Sequence, residues 1–437
     1  MANNKTFKIK NGLQAGRYLG SNGTETAGAN GPFGVFATTL YEGTAAAQTI
    51  TNNINLSTDG GMVWSKNRDG TDEPTIMDTV IGTGFYGNTN STSAYLGSSS
   101  AYITAFNTNG YALGSANQLN RSGDSFVSWT FKKQAKFLDI VTYTGDNVQG
   151  RSISHNLGSV PGVIIIKKRN ATENWSVYHR SNGTGKFMYL NTNGATLNGT
   201  SHYPTTPTDS VFYVGNDSAV NGTASDTYVA YLFAHDESAD SAVKCGSYTG
   251  NGSTTGPEIN LGWQPSWVML KRADGLGDWT IFDNVRGVVT GGNDPRLHPN
   301  TTQAESSSAD IIDFNSTGFN LTNVFDDYNA NSSTYIYMAI RAVVQTQTLD
   351  LSTGHTFSIT PTEALDILFS NPPASGNATG FSVEVNNTGG YALTWPSSVK
   401  WHLGTAPTAT ASKELYTFVT TDGGTTYYGK LAGSNIA

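Results

Sequence analysis

One sentence is written twice in this chain. Residues 155–180 read "HNLGSVPGVIIIKKRNATENWSVYHR", and residues 260–286 read "NLGWQPSWVMLKRADGLGDWTIFDNVR". Each holds Asn-Leu-Gly, a proline, a four-residue apolar run, two cations, a polar turn and a tryptophan. The spacing is nearly constant. Tyr143-Thr144-Gly145 precedes Tyr248-Thr249-Gly250 by 105 positions, and Lys167 and Trp175 precede Lys271 and Trp279 by 104. Tyr231 of "DTYVAYLFA" aligns with Tyr337 of "STYIYMAIR" at 106. A fainter copy comes first, from Tyr41-Glu42-Gly43 through "MVWSKNRDG" to "DSFVSWTFK". It sets Lys66 against Lys167 and Trp129 against Tyr231, and it lacks the second tryptophan. A unit of roughly 100 residues is domain-sized, whereas solenoid and propeller repeats run to roughly 20–50.

The repeat therefore predicts three β modules, at 36–137, 138–242 and 243–345. Within them, Val163–Ile166 and Trp267–Leu270 are continuous apolar runs, expected of strands covered on both faces. "WSVYH" and "WTIFD" alternate large apolar with polar, which predicts one wet face. No amphipathic stretch of helical period reaches ten residues. The expectation is an all-β protein of tandem sandwich or jelly-roll-like modules. The repeated tryptophan reads as a core aromatic, with a sugar-stacking surface aromatic as the alternative.

Residues 346–437 do not carry the repeat. They hold "HTFSIT", "GFSVEV", "YALTW", "LYTFVT" and "TYYGKL", with turns at Pro372-Pro373 and Asp422-Gly423-Gly424. This predicts a distinct C-terminal β domain, joined through "VVQTQTLDLSTG" read as a connector. Tyr427 and Tyr428 are adjacent, so a strand would point them to opposite faces. They are the candidate residues for oligomer contacts or receptor recognition. Residues 1–35 are rich in Gly and Asn, with Phe7, Ile9, Leu13, Tyr18 and Leu19 as the few apolar anchors. This segment reads as an arm that docks on another protein.

Charge narrows the function. Only 13% of residues are charged, against the usual quarter, and the net charge is −8. No basic stripe is present, so nucleic-acid binding is not expected. The longest apolar runs are too short to span a bilayer, and "MANNKTFKIK" lacks a signal-peptide core. A protein made in a cytoplasm, with no membrane insertion, is the expectation. Catalytic and metal signatures are weak. "GTGFYG" at 82–87 has no helix after it, so the phosphate site that needs a helix N-terminus is not expected. The seven histidines are dispersed without ligand spacing, and no cofactor or metal is predicted. Asp326-Asp327 is the densest acidic pair, but glycoside cleavage needs carboxylates on either side of a bond. Cys245 is the single cysteine, read as a buried thiol.

The string "YTGNG…INLGWQPSWVMLKRADGLGDWTIFD…STYIYMAIR" resembles repeats in virion proteins of tailed bacteriophages, marine ones in particular. The C-terminal "SNPPASGNATGFSVEVNNTGGYALTWPSSVKW…YTFVTTDGGTTYYGKLAG" is similar to a β domain of tail-fibre-type proteins. The opening "FKIKNGLQAGRYLGSNGTETAG" resembles the start of such fibres. The resemblance implies a non-enzymatic structural protein of the virion, projecting as a tail fibre or host-receptor-binding protein. Its partners would be other virion proteins and a host cell-surface glycan or protein, and fibre proteins of this type are usually homotrimers. A capsid-decorating knob or head fibre is the alternative, and a glycan-degrading tail enzyme the second. The resemblance carries over no catalytic residues.

Overall fold

The first strand of each repeat ends in the same small device. Tyr41, Tyr143 and Tyr248 stack on Phe126, Tyr228 and Tyr335, with ring centroids 5.3, 5.1 and 5.0 Å apart. Their hydroxyls donate to the carbonyls of Leu119, Val220 and Tyr328, at 2.9, 2.6 and 2.7 Å. Those carbonyls belong to one-turn helices, Asn117–Asn120, Ser218–Asn221 and Asp326–Asn329. Each helix ends in a fully buried asparagine, Asn120, Asn221 or Asn329. Each asparagine clasps the loop after the tyrosine, accepting from Thr44, Asp146 or Asn251 N–H at 2.7, 3.0 and 2.8 Å. The glycine two residues after each tyrosine lets the chains approach. A Cβ would stand 2.0 Å from Arg121 O at Gly43, 2.5 Å from Gly222 O at Gly145, and 2.2 Å from Ala330 O at Gly250. The first copy is thus built like the other two.

This computed structural model describes residues 34–436, apart from Ser98, 239–240, Val289, 343–344, 362–364, 389–390, Ala392 and Ser397. The arm candidates Phe7, Ile9, Leu13, Tyr18 and Leu19 lie outside the described residues. The fold is all-β, and its described helices are single turns.

Every repeat is a two-layer sandwich. In the first, the strands Phe36–Glu42, Ser125–Lys132, Gly61–Asn67, Thr75–Asp78 and Gly87–Asn88 form the main sheet in that order, antiparallel throughout. A three-stranded sheet of Gln48–Thr51, Gly110–Leu113 and Ile103–Asn107 covers its outer side. The second and third repeats keep the same central order, with Pro161–Lys168 between Thr227–Ala234 and Trp175–His179, and Pro265–Arg272 between Thr334–Arg341 and Thr280–Asp283. Pairing aligns Trp129 with Tyr231, since Trp64↔Trp129 and Ile165↔Tyr231 occupy the same rung. It corrects the third copy by one residue. Met269 pairs with Met338, so Tyr231 corresponds to Met338 and not to Tyr337.

The expectation of separate modules is revised by the inner faces. The main sheets turn those faces toward one another, and a single apolar cluster runs through all three repeats, including Trp64, Trp129, Ile165, Tyr231, Trp267 and Met338. Burial of such a side chain contributes about 1.5–3 kcal/mol. The loss of one or two would remove a large fraction of the net stability of a typical domain, about 5–15 kcal/mol. The repeats form one compact unit that ends at Ala342. Val163–Ile166 and Trp267–Leu270 are covered on both sides for this reason. The same packing overturns the wet face expected for "WSVYH" and "WTIFD". Trp175–His179 and Thr280–Asp283 are buried throughout, because neighbouring repeats cover the face of His179 and Asp283 while Tyr203 or Tyr328 of the same repeat covers the face of Tyr178 and Phe282.

The second unit, from Val343 onward, is its own sandwich. The supposed connector contains a strand, Gln345–Asp350, in a parallel sheet with Leu365–Ser370 and Leu393–Thr394. Opposite lie Thr356–Ile359, Thr379–Asn386, Lys413–Thr420, Tyr427–Gly433 and Val399–Trp401, in that order. Val383, Phe418, Tyr416 and Trp395 fill the space between.

Candidate interaction surface

The seams between repeats hold a recurring set of buried polar groups. Lys66, Lys167 and Lys271 sit at equivalent positions, each 0–1% exposed. Lys167 donates to Thr92 O of the first repeat at 2.9 Å, Lys271 to Asn193 O of the second at 3.4 Å, and Lys66 to Thr302 O of the third at 3.0 Å. The order 2→1, 3→2, 1→3 closes on itself. Burial pushes all three ammonium groups down to about 8. The paired tryptophans follow the same rule. Trp175 Nε1 donates to Asn88 O at 3.0 Å, and Trp279 Nε1 to Tyr189 O at 3.1 Å. In the first repeat Pro74 precedes the strand where that tryptophan would stand. The corresponding seam holds ions instead: Arg68 and Arg286 both bind Glu305, and Arg286 Nε donates to Asp283 at 2.6 Å. Burial alone would raise the Glu305 carboxyl, but Arg68 and Arg286 hold it below its usual range.

The remaining sequence candidates fall in separate places. Asp326 is exposed at the start of the third one-turn helix, and Asp327 is half-buried beside it. Burial and the charge of Asp278 raise the Asp327 carboxyl, while His298 and Lys271 lower it. Adjacency in sequence misses this partner: Asp278 lies in the hairpin turn and accepts from Asn300 Nδ2 at 2.6 Å. Cys245 is buried, and burial drives its thiol up. Among the described residues, no group of three or more His, Cys, Asp or Glu is arranged to hold a metal ion. No described helix is long and apolar enough to cross a membrane.

The C-terminal sheet separates the two predicted tyrosines. Tyr427 is 3% exposed and lies in the core against Phe369, with ring centroids 4.8 Å apart. Tyr428 is 61% exposed. It lies on the outward face, where register sets it between Val419 and Lys400. Lys430, two residues along, is also outward and exposed. Ser382, Thr417, Thr356 and Ser358 extend the face across the sheet. At its Ser358 edge an open cavity of about 360 Å³ is lined by Gln347, Asp350, Thr353 and Thr360 among others. Lys400 and Lys430 were missed from sequence. Their signal is the alternation Tyr428, Lys430 together with a parallel neighbour strand that no local pattern announces.

The repeat unit is matched by a family profile described as "Domain of unknown function (DUF7483)", over residues 32–342. That span covers more than half of the chain. The chain belongs to the DUF7483 family. The DUF7483 match ends at the residue where the compact three-repeat unit ends, so the family's domain is the closed set of three repeats. None of the curated proteins matches the chain.

Proposed function

We propose that the protein is a non-enzymatic structural component of a tailed-phage virion, projecting as a tail fibre or receptor-binding protein. The DUF7483 unit is the rigid body of the projection, the segment before it docks on other virion proteins, and the C-terminal sandwich meets the host surface. The observation that supports this reading best is the outward face of that sandwich, where Tyr428 and Val419 are left 61% and 45% exposed in the middle of a well-filled fold. An aromatic and an aliphatic side chain exposed side by side offer an apolar contact to a partner. The resemblance of both parts to virion proteins supports the same reading. The threefold relation of the repeats lies within one chain, so we place homotrimer contacts, as in related fibres, in the C-terminal unit.

Immunogold electron microscopy of purified particles tests the proposal. Label on tail appendages is the expected result. Label confined to the capsid would replace the fibre with a decorating protein, and its absence from particles would refute a virion role.

A further inference from the structure

The outward face of the C-terminal sheet combines three features that select a ligand class. Tyr428 and Val419 pair across adjacent strands and form a small apolar platform. Cross-strand neighbours stand roughly 5 Å apart, so the platform has the breadth of a sugar ring, whose C–H face can lie on it. Lys400 pairs with Tyr428 on the other side, and Lys430 stands two residues along the same strand. Both lysines are exposed, and among the described residues neither forms an ion pair with a carboxylate. The outward Glu384 is occupied by Lys413 at 3.5 Å. Uncompensated cations beside an exposed ring are complementary to an anionic ligand, in a chain whose net charge is −8. Beyond the ring, Thr417 and Ser382 continue the face with hydroxyls suited to sugar hydroxyls.

We propose that Tyr428, Val419, Lys400 and Lys430 form a binding site for an acidic polysaccharide of the host surface, with uronate or sulfate groups held by the lysines. The inference rests on the receptor-binding reading and names its ligand class. Nucleic acid is disfavoured, because two lysines are far fewer than the roughly 6–10 phosphate contacts of a dedicated binder. A neutral glycan would leave both cations without purpose.

Affinity electrophoresis of the full chain decides the matter, in gels containing alginate, dextran sulfate or neutral dextran at fixed low salt. Alginate or dextran sulfate is expected to retard the protein, and dextran to leave its mobility unchanged. Tyr428→Ala and the double variant K400E/K430E should each weaken retardation about tenfold, and Tyr428→Phe should retain it. The equal-charge control K136E/K186E, on the DUF7483 unit, should bind as wild type, with circular dichroism checking the fold of each variant. Equal loss in the control, no loss in Tyr428→Ala, retardation by dextran, or no retardation by either acidic polymer would each overturn the proposal. A particle-borne protein that ignores both acidic polymers removes this inference and leaves the virion role standing. Binding by a protein absent from particles does the reverse.

Discussion

Tyr231 of the second repeat donates its hydroxyl to Asp78 of the first, at 2.7 Å, in the middle of the shared core. The same hydroxyl lies 2.5 Å from Tyr95 OH. The equivalent positions also cross seams. Trp129 Nε1 donates to Asp283 at 3.0 Å, and His179 Nε2 lies 3.0 Å from Tyr337 O. Burial raises the Asp78 carboxyl, and the bonds from Ile81, Tyr231 and Val80 oppose that rise. Tyr231→Phe removes one donor from a buried carboxylate. The expected cost is about 1–3 kcal/mol, read as a shift of the DUF7483 transition in urea with the slope unchanged. A shift below the error of the fit would show that the seam does not depend on this bond.

His179 makes the unit acid-sensitive. Its Nδ1 accepts from Ser181 N–H at 3.2 Å, which leaves Nε2–H to donate to Tyr337 O. Burial lowers the imidazole to about 4, from its ordinary value near 6.5. The unfolded chain therefore takes up a proton between pH 6.5 and 4 that the folded chain refuses. Stability is unaffected above that window and falls as the pH drops through it. His179 contributes roughly 2–3 kcal/mol of this loss by pH 4.5. Burial also lowers His155, His202, His235 and His298, so His179→Gln should flatten the acid slope without abolishing it. An unchanged slope between pH 6.5 and 4.5 would contradict the assignment.

The three seam lysines act in the opposite direction. Each is lowered to about 8, below an unfolded value near 10.4, so between these values the unfolded chain binds more protons. Stability should rise from pH 8 to about 9.5, by roughly 1–2 kcal/mol per lysine. The buried Cys245 thiol opposes this, because only the unfolded chain ionises it. One thiol is outweighed by three lysines. Thermal melts of the triple variant K66M/K167M/K271M should lose the rise, and a wild-type stability that falls from pH 8 to 9.5 would refute the sign.

Legibility followed the range of the interactions. Tyr143, Lys167 and Trp175 could be matched to their copies because each does the same local work in its repeat. Their purpose was hidden, because Lys167 and Trp175 bind carbonyls of a different repeat and sequence spacing does not show which faces meet. The one-residue slip at Tyr337 arose because two tyrosines look alike, while the ladder aligns by Met269↔Met338. The wet face read for "WSVYH" and "WTIFD" failed for the same reason: His179 and Asp283 are paired across seams, and in sequence such a residue is indistinguishable from a solvated one. In the C-terminal unit, alternation set Tyr427 and Tyr428 on opposite faces, and only the sheet shows that Tyr427 is the inner one. The strand Gln345–Asp350 was overlooked, since "QTQTLD" has little apolar content and is held by parallel pairing to a distant strand.

Competition for adsorption tests the central claim most directly. If the chain is the proposed receptor-binding element, the purified protein, added to host cells before particles shown to carry it, should occupy the receptor and slow adsorption several-fold. The Tyr428→Ala variant should do so far less. Undiminished adsorption at saturating protein, from particles shown to carry this chain, would contradict its assignment as the receptor-contacting element.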